Sequence, residues 1–280
     1  MNASFRNAVI AIALSFYSVP SWAQATSPSA PVALTDQQME TFLLNAKIVS
    51  TRGAGKGVTN SSRIVMTDGT LTHDAHVQSV DIQKNVFNVP GAAAELNFKD
   101  TYRYNIAGYR LARLIGITTV PVSVERRVDG RIAAVTWWID NVMFDEGGRQ
   151  KLPDREQDGP NAIRTSLQLH VMRLFDELIQ NRYRNQGNMV WTKDWTMWLI
   201  DHTRAFRTGS TLLKPTLIQR CERAMCEGMR ALTLATLTAG VGKSLFANEI
   251  KAVLQRRYAI LKLVDARIER RGDAAAGGLH

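Results

Sequence analysis

Two oxygen-bearing side chains, Asn188 and Asp201, flank the stretch of this chain best suited to chemistry. Between them lie two short apolar runs, Met189–Trp191 and Trp195–Ile200, separated by Thr192-Lys193-Asp194. That spacing predicts a hairpin with a tight turn. Asn188 opens one strand and Asp201 closes the other, so their side chains can converge at one end of the hairpin. Such a pair suits Mg²⁺ with a nucleotide, because the ion takes few protein ligands and fills its octahedron with phosphate oxygens and water.

The elements around this stretch must hold it in place. A helical run, Ile163 to Ile179, carries Leu167, Leu174 and Leu178 at helical spacing and feeds into the polar loop Asn181 to Gly187. His170, on or beside that face, reads as structural. Far upstream, Thr35 to Gln38 has capping-box spacing and predicts a helix over Asp36 to Asn45. Strands are expected at Ala46–Ser50, Arg63–Met66 and Ala75–Ile82. Gly53, Gly55 and Gly57 alternate between the first two, where bare backbone N–H groups can approach phosphates. The helical pattern Phe98 to Ile115 ends at Gly116. Val120–Arg127, Asp129-Gly130 and Arg131–Ile139 form the clearest hairpin signal. Val142 to Asp158 is polar and predicts a mobile connection, and Leu212 to Ile268 is helical in pattern.

The run Asn181–Phe206 resembles the catalytic segment of kinase-like families: the phosphatidylinositol 3-/4-kinases, the HipA-like kinases and the secretory-pathway casein kinases. Their pattern, roughly N-x-D-R-x-x-x-N, a hairpin, then I-D-H-x-x-A-F, is met by Asn181, Arg184, Asn188, Ile200, Asp201, His202, Ala205 and Phe206. Where the pattern puts its catalytic Asp, this chain has Tyr183. The resemblance implies an ATP site with Mg²⁺ on Asp201 and Asn188, Arg184 orienting the loop, and His202 stabilising it. It also puts Gln78 where a phosphate-holding Lys is expected, and Asn105 where the helix would offer that Lys a Glu. An amide, an amide and a phenol thus stand in for a cation and two carboxylates.

The N-terminus reads as a secretory signal over residues 1–23. Arg6 is its only charge, Ala8 to Val19 is apolar, and Ser21-Trp22-Ala23 is a small-x-small cleavage site. The apolar run is too short to cross ~30 Å of hydrocarbon. Residues 24–34 read as a Ser/Pro/Ala linker. Export permits a disulfide between Cys221 and Cys226, while two small buried side chains are an equal reading. Net charge is +10, carried by dispersed pairs such as Arg126-Arg127 and Arg256-Arg257. That dispersion argues against a nucleic-acid surface and agrees with an acidic ligand such as a nucleotide.

The expected architecture is an α+β, two-lobed protein-kinase-like fold of an exported, bacterial-type member. Its N-lobe is placed at 35–145, with an antiparallel sheet and one αC-like helix. A mostly helical C-lobe is placed at 146–271 and a Gly/Ala tail at 272–280. The expected function is that of a degenerate kinase, periplasmic or secreted, which binds Mg-nucleotide weakly and acts with a protein partner. The alternative is an active phosphotransferase acting on a protein or small-molecule hydroxyl. A serine hydrolase is disfavoured, since the chain has no G-x-S-x-G elbow.

Overall fold

A computed structural model describes residues 34–53, 61–88, 91 and 94–271. The signal segment, most of the linker, Gly55, Gly57 and the tail therefore lie outside the described residues.

Helix α1 (Asp36–Asn45) starts at the expected capping box: Thr35 accepts from the Gln38 N–H, and the Gln38 side chain returns to the Thr35 N–H. Phe42 and Leu43 form its buried face. Strands β1 (Lys47–Gly53), β2 (Ser61–Thr67) and β3 (Thr72–Gln78) follow, all antiparallel. Asp68 Oδ1 accepts the Thr70 and Leu71 N–H groups and shapes the turn between β2 and β3.

The next segment differs from expectation. β3 stops at Gln78, and a separate two-stranded hairpin, β4 (Asp81–Phe87) with β5 (Glu95–Thr101), follows. The pattern from Phe98 therefore begins as strand, and helix α2 spans only Arg103–Leu114. Ladder pairing of Thr101 with Asp81 and of Phe98 with Lys84 overrides the helical periodicity of Phe98 to Thr101. Gly116, at φ 81°, lies just past the end of α2 as expected.

β6 (Ser123–Val128) and β7 (Arg131–Trp137) form the anticipated hairpin, with Asp129 and Gly130 both at positive φ. The main sheet has the order β1-β2-β3-β7-β6. Two helices, not one, serve it. Arg110 and Tyr109 of α2 reach Glu40 of α1 at 3.0 and 2.6 Å, and Arg113 pairs with Asp36.

The polar stretch after β7 is structured, which corrects the mobile connection expected there. It forms β8 (Val142–Asp145), α3 (Glu146–Arg149) and α4 (Asp154–Gln157). Glu146 is buried, pairs with Arg149 at 2.7 Å and accepts from Trp191 Nε1 at 2.9 Å. A buried bidentate pair is satisfied only in an ordered chain, which is why polar composition misleads here.

Helix α5 (Ala162–Ile179) is capped by the Asn161 side chain and ends with Gln180 in the left-handed region. β9 (Met189–Thr192) and β10 (Met197–Leu199) form the predicted hairpin, and β8 extends it to three strands. Helices α6 (Arg223–Ala231), α7 (Leu234–Val241) and α8 (Ala247–Arg271) complete the chain. Arg256 of α8 is fully buried and donates to the carbonyls of Leu178 and Arg207, both at 2.8 Å. It thereby joins α8 to the end of α5 and to the loop after Asp201. Among the described residues no helix is long and apolar enough to cross a membrane.

Cys221 and Cys226 form a disulfide. The bond is possible because α6 begins only at Arg223, so the two cysteines do not share one helix. In the chain-entropy view so short a loop contributes about 2 kcal/mol. Reduction, or Cys221→Ser with Cys226→Ser, is expected to lower the unfolding free energy in urea by about that amount. An unchanged midpoint would assign the pair no role in stability.

Candidate functional site

The β9–β10 hairpin places Asn188 and Asp201 together at its open end. Asn188 closes a single 3-10 turn, Gln186–Asn188, and its carbonyl accepts the Ile200 N–H at 3.1 Å. Asp201 follows directly, exposed and at φ 52°. Its Oδ1 accepts from the Thr203 hydroxyl at 2.9 Å, which orients the carboxylate.

Arg184 assembles the rest. Its Nη1 donates to the carbonyls of Asn188 and Ile200 at 3.0 and 2.7 Å, clamping both hairpin strands. Its Nε and Nη2 grip Asp176 of α5, each at 3.0 Å to one oxygen. Nη2 also lies 3.0 Å from His202 Nε2. The sequence pattern missed Asp176, though a signal existed. Acidic residues in the last turn of a helix oppose its dipole, so Asp176 and Glu177 require dedicated partners. Asp176 has Arg184, and Glu177 accepts the backbone N–H groups of Leu213 and Lys214.

His202 is buried against α2. Its backbone N–H donates to Asn105 Oδ1 at 2.7 Å, so Asn105 holds the segment that carries Asp201. Gly108 lets the imidazole approach: a Cβ there would sit 3.2 Å from the ring. Burial, reinforced by the Arg184 guanidinium, holds the His202 pKa well below its ordinary value. The ring is therefore neutral, with Nε2 accepting from Arg184 and the proton assigned to Nδ1.

Gln78 ends β3, and its Oε1 accepts the Val80 N–H at 3.1 Å. Two residues earlier on the same strand is His76. Burial lowers its pKa, and the Asp201 charge opposes that shift. Gly53 ends β1, whereas Gly55 and Gly57 lie outside the described residues. Lys84 is exposed on β4 and lies against the ring of Phe87.

Tyr183 points elsewhere. Its hydroxyl donates to Glu95 Oε2 at 2.6 Å, and Glu95 Oε1 pairs with Arg207 at 2.9 Å. Burial first, then the Glu95 contact, raises the phenol pKa above its ordinary value. At neutral pH the group is a hydrogen-bond donor and not a base. No sequence pattern flagged Glu95, because the β4–β5 hairpin that delivers it has no periodicity distinct from the following helix.

His202, which is buried, and His76, which is partly buried, both take up protons more readily when unfolded. The unfolded imidazole titrates near 6.5. Stability is therefore complete above about 6.5 and falls as pH drops from there towards the lower folded-state values. Urea midpoints measured between pH 7.5 and 5.5 are expected to decline with acidity. A flat profile would mean that the rings are charged in the fold.

Among the described residues no group of three or more His, Cys, Asp and Glu side chains could hold a metal. The donor set at the hairpin, one exposed carboxylate and one amide, fits a cation that takes its remaining ligands from phosphate and water.

The fold is like that of a kinase. It is similar in structure to a proinflammatory kinase of Helicobacter pylori, CtkA, with a TM-score of 0.50, 8% sequence identity, and 82% of this chain and 98% of that chain covered. At this identity the likeness concerns the fold. No family model and no curated protein matches the chain.

Proposed function

We propose that this is an exported, kinase-like protein of degenerate activity, which binds Mg-nucleotide weakly and transfers little or no phosphoryl group. One observation carries the reading. Tyr183, standing where kinase-like families place a catalytic Asp, is a protonated phenol committed to Glu95, while Asp201 and Asn188 remain at an open hairpin end. Asp201 and Asn188 would hold Mg²⁺, which would neutralise phosphate charge. Arg184 and His202 position that hairpin, and Gln78, with Gly53, Gly55 and Gly57, would border the phosphates without supplying the usual cation. The two-lobed division at about residue 145 and kinship with the HipA-like, phosphatidylinositol 3-/4- and secretory casein kinases belong to the same reading. A protein partner is part of it too. The disulfide supports a periplasmic or secreted location after cleavage at Ala23.

Glu95 supports a second reading, in which transfer persists. Its carboxylate sits one hydrogen bond from Tyr183 and could stand in for the missing base, although Arg207 already pairs with it. The deciding experiment is a thermal-shift titration with ATP and Mg²⁺ beside a radiolabelled transfer assay. Binding without transfer supports the first reading. Transfer lost in Glu95→Gln supports the second, and no ATP binding at all rejects both.

A further inference from the structure

Strand β4 pairs along one edge with β5, and among the described residues no strand lies along its other edge. All of its residues are exposed except Phe87, which is half-buried. An open edge presents a row of unpaired N–H and C=O groups, on which another strand can be added. A lone two-stranded hairpin is also marginal in water, so a third strand would stabilise it. β5 is anchored to the rest of the fold. The Thr101 N–H donates to the Thr203 carbonyl at 2.9 Å, and Lys99 pairs with Glu249 at 2.5 Å. Beyond its pairing with β5, the ion pair of β4 among the described residues is a long one, Asp81 with Arg103 at 3.9 Å.

The side chains give this edge a pattern. Strand alternation puts Ile82, Lys84 and Val86 on one face, and all three are exposed. Leu96, 69% exposed, stands opposite Val86 on β5 and widens the apolar surface. Lys84 is the central residue of the strand, and that position decides which strand can be added. In a second copy paired antiparallel about a two-fold axis, the register that sets Ile82 against Val86 also sets Lys84 against its own counterpart. Like charges directly opposite each other destabilise a strand pair. Lysine on an edge strand is a known means of refusing self-pairing. A strand that carries a carboxylate between two apolar residues matches the same edge at every position.

We propose that the outer edge of β4 docks an extended segment of an acidic protein partner, with its apolar side chains against Ile82 and Val86 and a carboxylate against Lys84. Main-chain hydrogen bonds supply the affinity of such an added strand, and its alternate side chains the specificity. The added strand would brace the hairpin whose Glu95, at the start of β5, holds the Tyr183 hydroxyl. The inference gives a surface to the protein partner of the proposed function and rests on that reading for there being a partner. Docking is measured without nucleotide, so either can fail alone.

The test adds two capped peptides to the ¹⁵N-labelled full chain, one alternating valine with glutamate and one alternating valine with lysine. Salt is held at ~0.15 M, where distant charges are screened. Amide shifts and hydrogen-exchange protection over Asp81–Phe87 are the readouts. The acidic peptide is expected to bind at least ~3-fold more tightly than the basic one, with the changes centred on β4. Lys84→Glu, at an exposed position, should reverse the preference, and Ile82→Ser with Val86→Ser should weaken the acidic peptide. No binding, equal binding of the two peptides, a preference that survives Lys84→Glu, or shifts centred on another strand overturns the proposal. Dimerisation of the free chain through β4, read by sedimentation at rising concentration, overturns it too.

Discussion

Replacing Arg184 by methionine is expected to destabilise the protein by about 3–5 kcal/mol, a large part of a typical domain's total. The side chain is 7% exposed and its carboxylate partner, on Asp176, is 11% exposed. Removal leaves that carboxylate buried without its cation. It also removes the Nη1 donor from the carbonyls of Asn188 and Ile200, leaving that of Asn188 only the Ile200 N–H. Arg184→Lys should recover little, because an ammonium cannot serve the carboxylate and two diverging carbonyls from a planar fork. The double change Arg184→Met with Asp176→Asn should be less damaging than the single one, since no unpaired charge remains. Urea denaturation of the three variants reads all of this. A loss under ~0.5 kcal/mol for Arg184→Met would place it with ordinary surface substitutions and remove its role as organiser of the site.

The parts legible in the sequence are those set by local chemistry. The Thr35/Gln38 capping box, the Asp129-Gly130 turn and the β9–β10 hairpin all depend on residues a few positions apart, and each appears as expected. The backbones of Asn188 and Asp201 lie at the same end of that hairpin, since its pairing brings the two ends together. What escaped is long-range. β5 was absorbed into helix α2 because Phe98 falls in phase with the apolar stripe of that helix, and only pairing with β4 distinguishes them. The Tyr183–Glu95 bond spans 88 positions and the Asn105–His202 bond 97, and composition does not encode such meetings. Asn105, expected where the helix would offer a Glu to the residue at Gln78, accepts the His202 N–H and so holds the backbone beside Asp201. Val142–Asp158 looked mobile because its ordering comes from the buried Glu146, whose partner Trp191 lies 45 positions away.

Loss of the Asp201 carboxylate is expected to have the largest effect on ligand binding. In Asp201→Ala the Mg²⁺-dependent part of ATP affinity should fall by at least ~100-fold, since residues that merely orient a metal ligand already contribute ~10–100-fold. The fold should survive, because Asp201 is exposed and Arg184, not Asp201, binds the hairpin strands. Tyr183→Asp is the complementary change. It supplies the carboxylate that kinase-like families place there, yet transfer should stay at background. Gln78 and Asn105 still bring no charge to the phosphates, and positioning with electrostatics dominates phosphoryl transfer. The new carboxylate would also face Glu95 in the absence of the phenol that now donates to it, leaving Arg204 and Arg207 to separate two like charges. Nucleotide titrations with and without Mg²⁺, run beside a radiolabelled assay on both variants, give the answer. Robust transfer by Tyr183→Asp would show that a missing base was the whole defect. ATP affinity unchanged in Asp201→Ala would move the metal site away from the hairpin.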